Sequence, residues 1–73
     1  MSQNETILEY LRKGHTLTQA EAIALFGCYR LGARIYEIRE LGFDIRKNMV
    51  EAKNRFGDNV RFARYWMAGG KHD

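Results

Sequence analysis

One stretch, residues 28–42, constrains the fold of this chain more than any other. Leu31, Ile35 and Ile38 recur at intervals of four and three residues, so at about 100° per residue they share one side of a helix. Gly42 follows the last turn, where a helix often ends in the left-handed backbone conformation that glycine adopts without strain. The stretch therefore predicts a helix that buries one face and displays the other. The displayed face carries Tyr29, Ala33, Tyr36 and Glu40.

Two further helices are predicted before this one, each introduced by a capping box. Ser2 precedes Glu5 by three residues, and this pair predicts the start of the first helix. Thr18 precedes Glu21 by the same interval and predicts the start of the second. At this spacing a hydroxyl and a carboxylate satisfy two free amides of the first turn. The apolar residues of the second helix are expected to form its buried side, and they are Ala22, Ile23, Leu25 and Phe26. Gly27 leaves only a tight turn before the third helix, which is the helix-turn-helix pattern, whose second helix is offered to DNA.

Beyond Gly42 the pattern changes to that of a β-hairpin. Residues 43–46 alternate apolar and polar side chains, the period of a half-buried strand, and this strand can continue to Val50. Residues 53–59 are polar and rich in turn formers, so they predict the tip of a hairpin. A return strand is expected over residues 60–67, with Ala63, Tyr65 and Met67 towards the helices and Arg64 and Trp66 outward.

The order of these elements predicts an α+β fold of the winged helix-turn-helix type, in which three helices are followed by a two-stranded β-hairpin wing. Residues 1–67 are expected to form this domain, and residues 68–73 a flexible C-terminal tail without apolar anchors. The segment 15–17 is too short for more than a connector or a brief strand.

The composition is that of one small folded domain with a mild basic surplus. A chain of 73 residues builds only a small core, which leaves a homodimer open as a source of further stability. Lysine and arginine total 12 against 9 acidic residues, a net charge of +3. This balance suits a polyanion such as nucleic acid, although many soluble proteins carry as much.

The sequence has no pattern typical of a cofactor, a metal centre or an enzyme. Cys28 is the single cysteine, which excludes an internal disulfide, and no metal-ligand spacing accompanies it. His15 and His72 lie far apart, and no glycine-rich phosphate loop is present. No apolar run approaches the roughly 18 residues of a membrane span, and no signal peptide is recognisable. We therefore expect a non-enzymatic cytoplasmic protein that needs no cofactor, metal, small-molecule substrate or membrane.

Residues 25–45 resemble the small winged helix-turn-helix proteins of bacteriophages and prophages. The segments 27–31 and 33–35 carry the most specific part of the likeness, and 16–22 and 63–67 extend it over nearly the whole chain. The resemblance implies a DNA-binding fold in a bacterial cytoplasm, without implying a particular operator. The turn after Gly27 is about two residues shorter than in the broader pattern, which bears on the face that helix three displays.

The start of helix three carries the candidate residues for reading bases. Arg30 or Arg34 can make a bidentate contact to guanine O6 and N7 in the major groove. The alternative is a pair of solvated arginines, with Arg34 bridging Glu37. Tyr29 can reach a phosphate or a thymine methyl, or it can pack over the turn. Glu37 repels phosphate unless it accepts from cytosine N4, and a second acid follows it on the helix, so this pattern argues either against DNA or for docking by the first turns, which include Ala33.

Two other segments are predicted to contact the DNA backbone. A basic cluster at the hairpin tip, formed by Lys53, Asn54 and Arg55, can contact phosphates or the minor groove. The alternative is that these residues are polar only because hairpin tips are exposed to solvent, whether or not they bind a partner. Thr18 and Gln19, at the N-terminus of helix two, can offer amides to a phosphate, while Thr18 also caps the helix. The predicted DNA-binding residues are Thr18, Gln19, Tyr29, Arg30, Ala33, Arg34, Glu37, Lys53, Asn54 and Arg55.

These features predict a protein that binds double-stranded DNA sequence-specifically, as a transcriptional regulator of a phage or prophage. One alternative is a protein-binding adaptor or inhibitor of host machinery, which the acidic residues Glu37 and Glu40 favour. Another is an excisionase-like architectural factor that bends DNA. Two aromatic residues, Phe56 and Trp66, can stack on nucleic acid or form a dimer contact if they point outward, with core packing as the first role of Trp66.

Overall fold

The computed structural model describes residues 2–69 and confirms the predicted order of three helices followed by a β-hairpin. It adds one short strand, which forms between the first two helices where a connector or brief strand was expected. The elements are α1 (Gln3–Arg12), β1 (Leu17–Thr18), α2 (Gln19–Phe26), α3 (Leu31–Glu40), β2 (Ile45–Lys53) and β3 (Asn59–Met67).

Both predicted capping boxes are formed. The Ser2 hydroxyl accepts from the Glu5 amide at 3.1 Å, and the Glu5 carboxylate accepts from the Ser2 amide at 2.9 Å. The Thr18 hydroxyl accepts from the Glu21 amide at 3.2 Å, and the Glu21 carboxylate accepts from the Thr18 amide at 2.9 Å. These bonds fix where α1 and α2 begin, because they satisfy amides that have no partner inside the helix.

The third helix begins later than predicted, at Leu31 rather than Cys28. Gly27 ends α2 with a left-handed backbone (φ +64°), and its amide donates to the Ile23 carbonyl at 3.0 Å. The Cys28 amide then donates back to the Ala22 carbonyl at 3.1 Å, so this residue still belongs to the end of α2. The predicted helical start at Cys28 is therefore wrong, whereas the tight turn predicted at Gly27 is formed and extends to Arg30.

One cluster of buried side chains joins all three helices to the sheet. The predicted buried face of α3 is confirmed, because Leu31, Ile35 and Ile38 are almost completely inaccessible to solvent. The prediction that Ile23 and Leu25 are buried on α2 is wrong, since they are 37% and 54% exposed. The buried side of this short helix is narrower than expected and consists of Ala22 and Phe26. The buried apolar core is Ile7, Leu11, Leu17, Ala22, Cys28, Leu31, Ile35, Ile38 and Ile45.

The three strands form one antiparallel sheet in the order β1-β3-β2. In its register, Leu17 pairs with Tyr65, and Ile45 pairs with Met67. Because side chains alternate between the two faces of a sheet, these four lie on one face, and all four belong to the core or pack against it. The predicted orientation of Tyr65 and Met67 is confirmed. The outward orientation that strand alternation predicts for Trp66 is also confirmed, because it lies on the opposite face and outside the core cluster, whereas the core packing named as its first role is wrong.

The hairpin extends past the helices. Its strands remain paired up to Lys53 and Asn59, and the hairpin loop comprises residues 54–58. Every residue from 51 to 59 is exposed, so this end of the hairpin projects into solvent. At the other end, the Ala68 amide donates to the Asp44 carbonyl at 2.8 Å. Residues 70–73 of the predicted tail lie outside the described residues.

Thr18 provides a test of how α2 is anchored. Replacing it with alanine removes the capping oxygen from a residue that is 5% exposed, so Thr18→Ala should lower the free energy of unfolding by about 1–2 kcal/mol. Thr18→Ser keeps the hydroxyl and should retain most of this stability. Urea denaturation followed by circular dichroism measures both. The exposed neighbour Thr16 supplies the control, and equal losses for Thr16→Ala and Thr18→Ala would contradict the capping role.

Candidate nucleic-acid interface

The turn between α2 and α3 is held by the side-chain amide of Gln19. Its nitrogen donates to the Cys28 carbonyl at 2.7 Å, and its oxygen accepts from the Leu31 amide at 2.9 Å. The Leu31 amide is the first of α3 and has no partner inside that helix. Arg30, which precedes it, provides no side-chain cap. Gln19 therefore closes the turn and caps α3 from the neighbouring helix, and its predicted contact to phosphate would compete with this structural role.

The exposed side of α3 is formed by small and aromatic side chains. Ala33, Tyr36 and Glu40 lie opposite the buried face, as the helical period predicts. Tyr36 is 64% exposed, and Tyr29, in the turn before the helix, is 74% exposed. Of the two positions left open for Tyr29, the structure places it outward rather than packed over the turn. This surface therefore exposes two tyrosine rings, next to a first helical turn whose exposed side chains are small.

Arg30 and Arg34 have different surroundings. Arg34 pairs with Glu37, with Nη2 and Oε2 3.2 Å apart, and its side chain is 31% exposed. Asn4 of α1 donates to the other oxygen of Glu37 at 2.8 Å. Arg30 is exposed and takes no part in the three ion pairs found among residues 2–69. The charge of Arg34 is thus balanced on the α1 side of the helix, whereas Arg30 is available to a partner.

The C-terminal end of α3 is fixed to the hairpin. The Arg39 Nε atom donates to the carbonyl of Ile45, the first residue of β2, at 2.8 Å. Gly42 lies between them with φ +103°, as its predicted position at the end of the helix requires. This bond and the shared core fix the direction in which the hairpin leaves α3.

The hairpin loop is shaped by one side chain. The Asn54 Oδ1 atom accepts from the Phe56 amide at 2.9 Å and from the Asp58 amide at 3.0 Å. Gly57 completes the loop with φ +85°. Asn54 is therefore committed to the loop, and its role as a DNA contact stays a prediction with a competing structural use. Lys53 contacts the Asn59 side-chain oxygen at 3.2 Å, and Arg55 is exposed.

The structure brings some of the predicted residues together and leaves others apart. Thr18 and Gln19 lie at the start of α2, and the Gln19 amide joins them to the turn that carries Tyr29 and Arg30. Lys53, Asn54 and Arg55 lie at the far end of the hairpin, as a separate surface. Within residues 2–69, no group of three His, Cys, Asp or Glu side chains is placed to hold a metal ion.

A family model described as a winged helix-turn-helix domain matches residues 2–70. The chain belongs to this family. The match confirms the predicted fold class and agrees with the three helices and the three-stranded sheet. Winged helix-turn-helix domains are typically DNA-binding modules that place one helix in the major groove, so the family supports binding to double-stranded DNA. No curated protein and no solved structure matches the chain significantly.

In this winged helix-turn-helix domain, α3 occupies the position of the recognition helix, and the β2–β3 hairpin occupies that of the wing. No helix within residues 2–69 is long and apolar enough to cross a membrane.

Two features of the candidate interface are absent from the sequence predictions. Tyr36 was placed on the displayed face but left out of the predicted contacts, although the helical period identifies it. The bridging role of Gln19 has no sequence signal, because it depends on how the two helices pack.

The bridge by Gln19 can be tested through the stability of the turn. Gln19→Ala removes both hydrogen bonds and should lower the free energy of unfolding by about 1–3 kcal/mol. Gln19→Glu keeps an acceptor for Leu31 but loses the donor to Cys28, so it should also destabilise. Hydrogen exchange should show faster exchange of the Leu31 amide in Gln19→Ala.

Gln3 provides a matched control for this measurement. Its amide nitrogen makes a single 3.4 Å bond to the Phe26 carbonyl, so Gln3→Ala should have a small effect. If Gln19→Ala changes neither stability nor exchange at Leu31 beyond the Gln3 control, the bridge does not hold the turn.

Proposed function

We propose that this winged helix-turn-helix domain binds double-stranded DNA sequence-specifically and regulates transcription. The observation that carries the proposal is the recognition helix itself, which belongs to a family-matched fold and begins in a turn fixed by Gln19. The turn before it displays Tyr29 and Arg30, and its own exposed side displays Tyr36, and none of the three belongs to the core cluster. An ordered, outward-facing first turn is what insertion into the major groove requires.

Arg30 is the best candidate for reading a base. It is exposed, precedes the first turn of α3, and makes no ion pair with the acidic residues of the domain within residues 2–69. An unpaired guanidinium can make the bidentate contact to guanine O6 and N7 without first breaking an internal bond. Tyr29, the residue before Arg30, and Tyr36, on the exposed side of α3, supply hydroxyls for phosphates and rings for thymine methyl groups.

Gly32 and Ala33 allow the helix to approach DNA closely. A Cβ atom added at Gly32 would meet no other atom within 4 Å, and its φ lies outside the left-handed range. Neither internal packing nor backbone conformation requires glycine there, although glycine in a helix costs up to about 1 kcal/mol relative to alanine. Close approach of a groove wall or base edge of the DNA to α3 at this position explains why the residue is glycine.

Glu37 is compatible with DNA binding because its charge is balanced. Arg34 and Asn4 both contact its carboxylate, so the acid is held at the α1 side of the recognition helix. We infer that Arg34 contributes mainly by neutralising Glu37, and that base reading by Arg34 would require breaking this ion pair. An exposed pair of this kind is worth only about 1 kcal/mol or less, so a better partner can open it.

The wing is proposed to hold the DNA backbone. Lys53 and Arg55 are exposed cations near the hairpin loop, and cations in such a position contact phosphates and fix orientation without reading much sequence. The Arg39 bond to Ile45 keeps the wing in a constant relation to the recognition helix. One duplex would then contact both surfaces.

The biological setting is proposed from the likeness of residues 25–45 to phage and prophage proteins. A regulator in the bacterial cytoplasm fits that likeness. Because a domain with a net charge of +3 should bind one site weakly, we propose that it acts as a homodimer or array on repeated half-sites.

The test is a selection of bound sequences from a randomised duplex library, followed by titration of the selected duplex at several salt concentrations. We expect one enriched motif and an affinity that falls steeply with salt, because phosphate contacts release counterions. Retention of unrelated sequences without enrichment would refute sequence specificity, and absence of salt-dependent binding would refute the proposal.

Substitutions of arginine should separate base reading from charge. Arg30→Ala should weaken binding to the selected duplex by about 1–3 kcal/mol and relax the preference at one base position. Arg34→Ala should also weaken binding, because it leaves the Glu37 carboxylate without its cation, but it should not relax the preference at any base position. Lys13→Ala removes the same charge from the exposed end of α1 and is the control in fluorescence titrations. Equal effects of Arg30→Ala and Lys13→Ala would exclude a specific role for Arg30.

Gly32→Ala should change stability and affinity in opposite directions. The added methyl group meets open space, so the free energy of unfolding should rise by up to about 1 kcal/mol. Affinity for the selected duplex should fall, and Gly32→Leu should lower it further. Thermal denaturation and the same titration measure the two effects. Undiminished affinity in both variants would show that DNA does not approach Gly32.

A second candidate function is that of a protein-binding adaptor. It is favoured by the apolar side chains of Ile23 and Leu25, which α2 leaves partly exposed to solvent. Glu40 is also exposed, without an ion pair in the part of the chain that the structure describes. Titration with DNA separates the two functions, because an adaptor of this type would show no salt-dependent duplex binding.

A further inference from the structure

The most exposed large apolar side chain of the described residues lies in the hairpin loop. Phe56 is 81% exposed, more than any other large hydrophobic residue there. The strands on either side are paired up to Lys53 and Asn59, so the ring sits at the outer end of the wing, beyond the core. A phenyl ring in this place contributes nothing to the packing of the domain.

The loop holds the backbone of Phe56 in a defined position. The Phe56 amide donates to the Asn54 side-chain oxygen at 2.9 Å, and that oxygen also accepts from the Asp58 amide. The Asn54 amide donates to the Asp58 carbonyl at 2.9 Å, and the Gly57 amide donates to the Asn54 carbonyl at 3.0 Å. Phe56 is therefore presented by a closed, hydrogen-bonded loop, which lowers the entropy lost when the ring is immobilised on a partner.

The surroundings of Phe56 favour a polyanion as that partner. Lys53 and Arg55 supply two cations against the single carboxylate of Asp58. Every other residue from 53 to 59 is polar or glycine, so the ring is isolated and forms no continuous apolar patch of the kind that marks a protein interface. An isolated ring between cations is complementary to a DNA duplex. The cations can contact the phosphates on the outside of the duplex, and the ring can contact the stacked apolar base faces inside it.

We propose that Phe56 is a wedge that enters the minor groove and inserts between two base pairs, while Arg55 contacts the adjoining phosphates. This inference rests on the proposed function and assigns a task to the wing beyond holding the backbone. Apolar wedges of this kind partly unstack a base step and kink the duplex towards the major groove. Flexible pyrimidine–purine steps should be preferred, because they unstack most readily, so the wing adds selectivity through DNA deformability.

The experiment uses the full chain and a short duplex that carries the selected motif, with 2-aminopurine at flanking TA and CA steps and dyes at both ends. Binding of the unaltered protein should raise 2-aminopurine fluorescence, which reports unstacking, and should increase energy transfer between the dyes, which reports bending. Phe56→Ala should lose both signals and weaken binding about tenfold. Phe56→Leu should keep part of each signal, because leucine also serves as a wedge.

Arg55→Ala is the matched control. It should weaken binding and reduce the salt slope of the affinity by about one unit, while the 2-aminopurine signal at saturation is retained. Phe56→Ala should leave the salt slope unchanged, because the ring displaces no counterion. Circular dichroism should show the same fold for all variants, since both side chains are exposed.

The outcomes distinguish the wedge from the proposed function. If Phe56→Ala binds and deforms the duplex as the unaltered protein does, the wedge is refuted and DNA binding by the recognition helix stands. If the unaltered protein does not bind duplexes at all, the proposed function fails with it. If Phe56→Ala instead abolishes self-association measured by sedimentation, without changing DNA deformation, the ring is a contact between copies and the wedge is refuted.

Discussion

The geometry of the interface depends on one side-chain amide that bonds two backbone groups. The side-chain nitrogen of Gln19 donates to the Cys28 carbonyl, and its side-chain oxygen accepts from the Leu31 amide. A single residue of α2 therefore both closes the turn and caps the start of α3. A helix of ten residues is marginal on its own and depends on what anchors its ends. The start of α3, from which Arg30 and Tyr29 project, is anchored from outside the helix.

The other end of α3 is anchored in a comparable way. Arg39 donates to the carbonyl of Ile45, so the last turn of α3 is joined to the first residue of the wing. Together with the burial of Leu31, Ile35 and Ile38, these bonds leave the helix little freedom to rotate about its axis. Which face α3 displays is therefore determined by its contacts with α2, the core and β2, and not by the α3 sequence alone.

Local signals account for the parts of the fold that were predicted correctly. The capping boxes at Ser2 and Thr18 and the period of α3 act within a few residues, and alternation places Tyr65 and Met67 on the core face. The errors arose where tertiary packing decides. Ile23 and Leu25 are helical and apolar, but α2 contacts the core through Ala22 and Phe26, so they stay exposed. For the interface, the sequence left Arg34 open between DNA contact and a bridge to Glu37, and the structure shows the bridge. It could not show that Gln19 and Asn54 serve the fold, because their bonds depend on how the elements pack.

The position of β3 in the sheet has a consequence for the order in which the domain can fold. This strand comes last among the elements, yet it is the central one and pairs with both β1 and β2. During synthesis the three helices leave the ribosome first, but Leu17 and Ile45 have no strand to pair with until residues 59–67 follow. The nascent chain must therefore keep its apolar helix faces soluble until that segment emerges, and the closing step joins residues distant in sequence.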